Sequence, residues 1–391
     1  MAQDKDQKTL NVPPLRFPGF TDEWKEYSID EIANIYGRIG FRGYTSADLV
    51  EKGNGAISLS PSNITNNQLY TDKDNTYISF YKYEESPEIK IFVGDVIFVK
   101  TGSTVGKVAY VDYLECEATL NPQLVVFKDI KCNNYLFSQI LATTKIQQRV
   151  SRITVGGAVP TLSQTELGKV RLFLPGNQEQ SKIATLLSLI EKRIYAQNKI
   201  IEDLKKLKSV IRKKLFANLK NLPTEYIEIG ELLNYEQPSE YIVASDEYIS
   251  DITKIPVLTA NKGFILGYTE EQFGVYSKGD CIIFDDFTMD AKYVTFPFKV
   301  KSSAIKILTA KSNVNLRFMF EYLQSMDLKS EEHKRHYISE IATLVVAIPM
   351  IEIQNHIACI IGSIDRKLAI EQQIAKEYEL EKLYFLSNIF I

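Results

Sequence analysis

Hydrophobic residues recur at alternating steps of three and four in two separate segments, which predicts two helices that each pack an apolar seam on a partner helix. The first seam comprises Leu187, Ile190, Ile194, Ile201, Leu204, Ile211 and Leu215. The second comprises Ile361, Ile364, Leu368, Ala375, Tyr378, Phe385 and Ile389. A helix over residues 178–218 would be about 60 Å long at a rise of about 1.5 Å per residue, so it needs a partner along its whole length.

The two segments are copies of one sequence, 174 positions apart. Pro175 matches Pro349, and Gln180 matches Gln354. Both seams are interrupted by polar residues at the same two steps, which are Gln197 and Lys208 in the first copy and Glu371 and Lys382 in the second. A duplication of this size predicts pseudo-two-fold symmetry and favours antiparallel packing of the two helices on each other. Two separate coiled-coil arms that bind other subunits remain the alternative.

The segments between the helices have a mixed pattern. Short β-branched and aromatic runs such as DVIFVK, QLVVFK, DCIIFDD and SAIKILTA predict strands, and residues 135–150 and 314–326 predict helices. The predicted fold class is therefore α+β, with two globular domains separated by two long helices packed as an antiparallel coiled coil. The expected divisions are a first domain over 1–176, a central helix over 177–220, a second domain over 221–349 and a distal helix over 350–391.

Composition and charge exclude several classes of protein. The chain of 391 residues is 45% hydrophobic and carries a net charge of -3, so it is not a polycation that would coat nucleic acid. Basic residues cluster between positions 191 and 220, whereas the matching stretch of the second copy is acidic. The four cysteines form no CxxC pair, which argues against a disulfide framework or a zinc ribbon. No segment has the roughly 20 apolar residues of a membrane span, and residues 1–10 have no apolar signal core, so we expect a cytoplasmic protein.

Residues 100–107, KTGSTVGK, resemble a phosphate-binding loop but do not meet its requirements. Three residues separate the two glycines where four are needed, and Val108 stands where a hydroxyl side chain should hold magnesium. Nucleotide hydrolysis is therefore not predicted. A plain glycine-rich hairpin is one remaining interpretation of this segment.

Other candidate chemistry is weak. Asn121-Pro122-Gln123-Leu124 lacks the aromatic residue with which an adenine methyltransferase stacks on a flipped base, so a turn is predicted there. His333 and His336 could share a metal, but only His356 remains to help, and no metal site is predicted. Tyr77, Phe80, Tyr81 and Tyr83 could stack on bases, although an alternating half-buried strand is the favoured interpretation. No catalytic residue is predicted.

The layout of domain, helix, domain, helix resembles the specificity subunit of a type I restriction-modification system. The resemblance covers nearly the whole chain and rests on four segments, which are RFPGFTDEWKEYSIDEIA, GDVIFVKTGSTVGKVA, VPTLSQTELGKVRLFLP and QEQSKIATLLSLIEKRI. The second domain departs from the pattern, because DDFTMDAKY stands where KTGSTVGK would recur.

The resemblance implies a non-catalytic DNA-recognition protein. Each globular domain would be a target recognition domain that reads half of a bipartite sequence. The helices would set the gap between the halves and form the docking surface for two modification subunits. The implied partners are double-stranded DNA, two modification subunits that methylate adenine, and motor-nuclease restriction subunits. S-adenosylmethionine, ATP and magnesium are expected only in those partners, and this chain is expected to hold no cofactor.

Candidate DNA contacts are the lysine, arginine, asparagine and hydroxyl side chains of polar loops, because these groups neutralise phosphates or pair with base edges. They are Arg38, Arg42, Asn63, Lys100, Thr101, Gly102, Ser103, Thr104, Lys107, Arg149, Arg152, Thr161, Asn261, Lys262, Lys292, Lys334, Arg335 and His336. The alternative function is a non-catalytic coiled-coil adaptor with two protein-binding or carbohydrate-binding modules. An enzyme that binds S-adenosylmethionine ranks third, and we expect no such binding by the isolated chain.

Overall fold

A computed structural model describes residues 11–71, 74–259, 263–328 and 337–391, except for the side chain of Phe41. The chain folds into two compact units. Unit 1 comprises the chain up to Ala196 together with Ala375–Ile391, and unit 2 comprises Gln197–Ile374. Each of the two long helices therefore contributes one part to each unit.

Unit 1 combines short strands with short helices ahead of the first long helix. Its strands are β1 (Lys25–Ser28), β2 (Asn34–Gly37), β3 (Leu49–Val50), β4 (Gly55–Leu59), β5 (Ile64–Thr65), β6 (Gln68–Leu69), β7 (Thr76–Ser79), β8 (Val96–Val99), β9 (Val108–Tyr110), β10 (Ala118–Leu120), β11 (Leu124–Lys128) and β12 (Arg171–Leu174). The helices are α1 (Ile29–Ile32), α2 (Phe80–Glu84), α3 (Asn134–Leu141), α4 (Thr144–Ile153), α5 (Gln164–Gly168) and the long α6 (Asn177–Ala217), with 3₁₀ turns at Gly40–Arg42, Ser46–Asp48, Pro61–Asn63 and Pro87–Ile89.

Unit 2 has a similar order of elements. Its strands are β13 (Thr224–Glu228), β14 (Leu233–Glu236), β15 (Ile255–Leu258), β16 (Ile265–Thr269), β17 (Cys281–Asp285), β18 (Ala291–Val294), β19 (Lys299–Val300), β20 (Ile305–Ala310) and β21 (Val345–Pro349). The helices are α7 (Ile229–Leu232), α8 (Leu316–Ser325) and the long α9 (Ile351–Ile389), with 3₁₀ turns at Leu219–Asn221 and Pro238–Tyr241 and a π-helical turn at Tyr337–Ile341.

The sheets of the two units correspond. In unit 1 the orders are β1-β12, β10-β4-β7-β3 and β2-β11-β8-β9-β6-β5, and in unit 2 they are β13-β21, β14-β20-β17-β18 and β16-β15-β19. The two-stranded antiparallel ribbon leads directly into the long helix in both units, because β12 precedes α6 and β21 precedes α9.

The central sheet of each unit is covered on both faces, which explains its nearly unbroken apolar strands. Successive side chains of a strand point to opposite faces. Val96 and Phe98 of β8 therefore enter the core beneath α3, α4 and α6, whereas Ile97 and Val99 enter the core against the neighbouring sheet. Strand β17 of unit 2 alternates in the same way between its two cores. Each unit thus has helices, a central sheet and a second sheet as successive layers.

The two long helices pack antiparallel, as the contacts inside each unit show. In unit 1 the early residue Glu191 of α6 binds the ammonium of the late residue Lys382 of α9. In unit 2 the later residue Lys208 of α6 binds Asp365, an earlier residue of α9, with Nζ 2.6 Å from Oδ1.

Within unit 1 the later Arg193 of α6 lies 5.8 Å from the ring centre of the earlier Tyr378 of α9. Within unit 2 the earlier Gln197 of α6 contacts the later Glu371 of α9. Inside each unit, rising residue numbers along α6 therefore meet falling numbers along α9. This geometry, with the two mixed domains, confirms the predicted fold class.

The apolar seams lie between the helices and against the domains. Every predicted seam residue is buried or half-buried, with Leu187 and Ile361 fully buried at matching positions. The polar residues that interrupt the seams also form contacts between the two helices. Gln197 donates from Nε2 to the backbone oxygen of Glu371 at 3.1 Å, so a residue pairs with its own copy. The pair Lys208–Asp365 is likewise the copy of the pair Lys382–Glu191.

Two local predictions were wrong. The helix predicted over 135–150 is two helices, α3 and α4, because Thr143 begins a new helix in extended backbone conformation. The strand predicted through the aromatic run ends at Ser79, whose hydroxyl accepts a hydrogen bond from the Lys82 amide and caps α2. Tyr77 of β7 and Tyr83 of α2 are buried, whereas Tyr81 of α2 is 78% exposed.

Candidate nucleic-acid interface

The loop over residues 100–107 connects β8 to β9 and has a defined backbone shape. Gly102 and Gly106 have φ values of +106° and +99°, which favour glycine. The Gly106 carbonyl accepts a hydrogen bond from Gln147 Nε2 at 2.8 Å. A Cβ on Gly106 would lie 2.2 Å from Gln147 Oε1. Both glycines are therefore required by the shape and packing of this loop.

Backbone hydrogen bonds join this loop to two others. The Lys100 amide donates to the Gln123 carbonyl at 2.9 Å, and the Gly102 amide donates to the Pro160 carbonyl at 2.9 Å. The Leu162 amide donates back to the Lys100 carbonyl at 2.8 Å. We call the segments 100–107, 121–123 and 155–161 the unit 1 loop cluster. Its backbone is ordered by these bonds, which leaves side chains free to contact a ligand.

The loop cluster brings several predicted DNA contacts together. Two of these predicted contacts, Ser103 and Thr161, are exposed. The others are half-buried, and they are Lys100, Thr101, Gly102, Thr104 and Lys107. The Lys107 ammonium donates to the Ile64 carbonyl at 3.2 Å. Within the part of the chain that the structure describes, the Lys100 ammonium has no hydrogen bond or ion pair. Lys100 is therefore the cation of this cluster that is freest to meet a phosphate.

Three other predicted contacts in unit 1 have partners inside the domain. Arg38 is only 5% exposed, and its Nε donates to the Leu120 carbonyl at 2.8 Å. Burial lowers the pKa of Arg38. Asn63 is 4% exposed, and its Oδ1 accepts from the Ser60 amide at 2.9 Å. Arg42 lies 3.4 Å from a carboxylate oxygen of Glu88. These three side chains are therefore engaged within the domain itself.

Helix α4 carries the remaining predicted contacts of unit 1. Arg152 is exposed, whereas Arg149 is half-buried and donates to the backbone oxygen of Arg171. Helix α4 ends directly before the segment 155–161 of the loop cluster. Arg152 therefore lies on the last turn of a helix that leads into the cluster.

The matching place in unit 2 has a different chemistry. Two buried aspartates that already have partners lie where β17 ends and the turn to β18 begins. Asp285 accepts from the Phe287 amide at 2.9 Å, and Asp286 forms an ion pair with the buried Lys306 at 3.4 Å. Lys292 pairs with Asp290 at 2.8 Å. The predicted contacts Asn261, Lys262, Lys334, Arg335 and His336 lie outside the described residues.

Sequence reasoning missed two features near these loops. Val155 and Val159 are 69% and 60% exposed within the loop cluster. Their signal in the sequence is two valines within the glycine-containing segment VGGAVP, residues 155–160. The second missed feature is the junction between each domain and the long helices.

In unit 1 this junction is formed by Tyr135, Glu191 and Lys382. The Tyr135 hydroxyl donates to Glu191 Oε2 at 2.7 Å, and the Lys382 ammonium binds the other carboxylate oxygen. Burial, followed by the charge of Glu191, raises the pKa of Tyr135 well above its usual range. Gln139 lies beside them, 2% exposed, with Nε2 3.5 Å from Glu191.

In unit 2 the junction is ionic. The Glu321 side chain is fully buried, and its carboxylate lies 2.8 Å from Arg212 Nε, 2.9 Å from an Arg317 nitrogen and 3.4 Å from the Lys208 ammonium. Arg317 also binds Asp365. The Arg317 guanidinium lies 4.8 Å from the centre of the Tyr293 ring and 5.2 Å from that of Phe320. Three cations thus surround two carboxylates.

A duplicated glutamine joins each long helix to its domain through the same two hydrogen bonds. Gln180 Nε2 donates to the Pro175 carbonyl at 2.9 Å, and its Oε1 accepts from the Asn133 amide at 3.0 Å. Gln354 repeats both bonds with Pro349 and Asn315, each at 2.9 Å. Asn133 and Asn315 are the N-caps of α3 and α8. One side chain in each unit therefore joins the start of the long helix to the domain helix.

The described ranges contain no cluster of three or more histidine, cysteine, aspartate or glutamate side chains placed to hold a metal ion. Among the described helices, none combines the length and the apolar character needed to cross a membrane.

Two solved structures are similar to this chain in fold. The S subunit of a type I restriction-modification system from M. genitalium gives a TM-score of 0.62 at 16% identity, covering 97% of this chain and 99% of that chain. A structure concerned with complex assembly and conformational transition of the type I R-M system gives 0.51 at 12% identity, covering 93% and 96%.

Curated relatives are similar in sequence over different lengths. The specificity subunit of the type I restriction enzyme EcoR124I/EcoR124II from Escherichia coli is 37% identical over 177 residues, which span 42% of this chain and 43% of that relative. The putative type I restriction enzyme MjaX specificity subunit from Methanocaldococcus jannaschii is 24% identical over 340 residues, covering 78% of this chain and 80% of that relative.

The family model described as the type I restriction modification DNA specificity domain matches residues 21–206 and again residues 221–380. These two matches include both domains and most of both long helices. The chain therefore belongs to the family of type I restriction-modification DNA specificity subunits.

Proposed function

We propose that this chain is the sequence-specific DNA-binding specificity subunit of a type I restriction-modification complex, and that each domain recognises one half of a bipartite target. The observation that carries the proposal is the double match of the specificity-domain model, once in each half of the chain. The unit 1 loop cluster supplies suitable chemistry, with Lys100 for a phosphate and the hydroxyls of Ser103 and Thr161 for base edges.

The difference between the two units supports a target with two unlike halves. Unit 1 has the glycine-rich segment KTGSTVGK after β8, whereas unit 2 has the buried Asp285 and Asp286 at the end of β17 and the start of the turn that follows it. Loops that differ this much would recognise different base patterns. The corresponding frameworks beneath them would hold the two loops in a comparable way.

The chemistry would belong to partner subunits. In this proposal two modification subunits methylate adenine with S-adenosylmethionine, and motor-nuclease subunits that use ATP and magnesium cleave the DNA. This chain is non-catalytic, holds no cofactor and acts in the cytoplasm. Because its net charge is -3, DNA affinity would come largely from the assembled complex, whose partners add phosphate contacts.

Co-expression of this chain with its modification subunit in a host without other adenine methylation, followed by methylome sequencing, tests the proposal. We expect a new bipartite adenine-methylation motif. A chain whose loop 100–107 is replaced by DDFTMDAKY should lose one half of the motif and retain a stable complex. A stable complex without any new motif would overturn the proposal in favour of a coiled-coil adaptor.

A length change in the helices tests whether they act as a ruler between the half-sites. Gln197 and Glu371 face each other, so a seven-residue insertion after each lengthens both helices and preserves the heptad register. We expect methylation of a motif with the same half-sites and a longer spacer. An unchanged spacer in an active complex would contradict the ruler.

A further inference from the structure

The segment 155–161 forms a tight hairpin within the unit 1 loop cluster. The Val155 amide donates to the Thr161 carbonyl at 3.0 Å, and the Thr161 amide donates back to the Val155 carbonyl at 2.7 Å. Gly156 has a φ of +103°, and a Cβ at this position would lie 2.7 Å from the Val159 carbonyl oxygen. The hairpin is therefore closed by its own backbone hydrogen bonds and requires glycine at its turn.

Thr161 takes part in two β-bridges, so that three side chains form a row. It lies opposite Val155 within the hairpin and opposite Thr101 in the loop 100–107. Residues directly opposite each other in an antiparallel bridge carry their side chains on the same face. Val155, Thr161 and Thr101 therefore share one face. On this face Val155 is 69% exposed, Thr161 is exposed and Thr101 is half-buried.

The groups around this row have the chemistry of a base-reading surface. The three segments of the loop cluster contain two lysines and no carboxylate, although the net charge of the chain is -3. The exposed Ser103 hydroxyl has no hydrogen bond to the described residues, so it is free to donate. The Thr161 hydroxyl donates to the Val159 carbonyl at 3.3 Å, which leaves its oxygen free to accept. The cluster thus offers a donor, an acceptor and an apolar side chain.

An A·T base pair presents the complementary groups in the major groove. The adenine amino group donates, thymine O4 accepts, and the thymine C5 methyl group is apolar, whereas a G·C pair has no methyl group there. A protein is a less suitable occupant, because a stable protein interface buries roughly 800 Å² on each partner. Val155 and Val159 are the large apolar side chains that the cluster exposes, and two valines match a base methyl better than such an interface.

We propose that Val155 contacts the C5 methyl group of a thymine in the half-site that unit 1 reads, and that this contact favours A·T over G·C at that base pair. The closed hairpin and its bridge to the loop 100–107 hold the valine in place before DNA binds, which lowers the entropic cost of the contact. This proposal rests on the proposed function, because it takes unit 1 as the reader of one half-site. The exchange of loop 100–107 described above identifies that half-site within the methylated motif.

Uracil differs from thymine only by the missing C5 methyl group, so it isolates this contact. Each thymine of the identified half-site is replaced in turn by uracil, and the Kd of each duplex for the purified complex with the modification subunit is measured at one salt concentration. We expect one replacement to weaken binding about fourfold, which corresponds to the burial of one methyl group. Replacement of that base pair by G·C should weaken binding further, and 5-methylcytosine in place of its cytosine should recover about fourfold.

Variants of Val155 assign the methyl contact to this side chain. In Val155→Ala, thymine and uracil at the responsive position should differ by less than about twofold. Val155→Ile keeps a branched apolar side chain and should retain the fourfold difference. The matched control is Val93→Ala, because Val93 is 62% exposed ahead of β8 and lies outside the loop cluster, and it should also retain the difference. Circular dichroism of each free variant confirms that it is folded.

The outcomes separate this proposal from the proposed function. A complex that methylates a bipartite motif, but in which no thymine of this half-site responds to uracil, overturns the thymine contact and leaves the function standing. An equal response to uracil in the parent chain and in Val155→Ala assigns the methyl contact to another residue and overturns the role of Val155. Loss of the modification subunit from Val155→Ala, measured by native mass spectrometry, would place Val155 in a protein interface instead. A chain that gives no bipartite motif overturns both proposals.

Discussion

The two domain–helix junctions occupy equivalent positions and use different chemistry. In unit 1 one carboxylate, Glu191, is bound by a tyrosine and a lysine, with the neutral Gln139 beside it. In unit 2 two carboxylates are bound by three cations, and Glu321 replaces glutamine at the corresponding helix position. The duplicated framework therefore retains where groups meet, while their charge has diverged.

The difference has an energetic consequence. Removal of a neutral hydrogen bond lowers the free energy of unfolding by about 1 kcal/mol, whereas an ion left unpaired in a buried site lowers it by more. The ionic junction of unit 2 should thus be sensitive to the loss of any carboxylate. The junction of unit 1 should be sensitive chiefly to the loss of its single cation.

The largest effect is expected from Glu321→Gln, which gives unit 2 the residue type found in unit 1. Lys208 and Arg317 would then keep only Asp365, and Arg212 would lose its carboxylate partner. We expect a loss of about 3 kcal/mol in the free energy of unfolding of unit 2. Urea unfolding combined with hydrogen exchange of α8 measures it. The matched control, Glu352→Gln on the exposed face of α9, should change stability by less than about 0.5 kcal/mol. Equal stability of the two variants would contradict the ionic account.

The duplicated glutamines should behave alike, in contrast to the junctions. Gln180→Ala removes the side-chain partner of the part-buried Asn133 amide and of the Pro175 carbonyl, and Gln354→Ala does the same for Asn315 and Pro349 in unit 2. Each should lose about 2 kcal/mol, with hydrogen exchange accelerating at the start of α6 or α9 respectively. The neighbouring exposed Gln178→Ala is the control. A loss confined to one unit would show that equal geometry does not give equal energy here.

Removal of the two equivalent lysines should destabilise unit 1 more than unit 2, which is the reverse of the order expected for the loss of a carboxylate. Lys382→Met leaves Glu191 without a cation, whereas Lys208→Met leaves two arginines for two carboxylates. We expect a loss of about 2 kcal/mol in unit 1 and less than about 1 kcal/mol in unit 2. Urea unfolding of the two variants at the same pH provides the comparison. A larger loss of stability from Lys208→Met than from Lys382→Met would contradict this argument from the numbers of cations and carboxylates at each junction.

The sequence predicted the framework well because its signal is repeated. The seams over 187–215 and 361–389 share one heptad rhythm, so period and pairing could be read together, and the antiparallel fold is confirmed. Local errors arose where capping overrode periodicity. Ser79 caps α2 within an aromatic run whose alternation predicted a strand.

The DNA contacts were harder to predict from the sequence, because the exposure of a side chain depends on residues that are distant in the chain. Arg38 was proposed for DNA, but its guanidinium donates to Leu120 and Thr119, 82 and 81 positions away. The junction network similarly joins Lys208 to Asp365 across 157 positions. Periodicity carries no information on such pairs. The repeated spacing of Gln180 and Gln354 was visible, whereas their bonds to the domain helices required the structure.

Tyr135 offers the smallest test of the two junctions and the one with a distinct pH dependence. Tyr135→Phe removes the hydrogen bond to Glu191 and should cost about 1 kcal/mol at neutral pH. Because burial and Glu191 raise the pKa of Tyr135 above its unfolded value of about 10, the neutral phenol stabilises the fold at all lower pH values. That contribution is lost as pH rises above about 10, when the unfolded phenol ionises.

Hydrogen exchange of α3 at several pH values above 9 should therefore accelerate less steeply in Tyr135→Phe than in the parent chain, after correction for intrinsic exchange. Unit 2 has Arg317 at the equivalent position, so exchange of α8 should be unchanged by the substitution. An identical alkaline slope at α3 in both proteins would show that Tyr135 is not the group that titrates. The divergence of the junctions would then lie only in their ion pairs, because the phenol would add no pH dependence of its own.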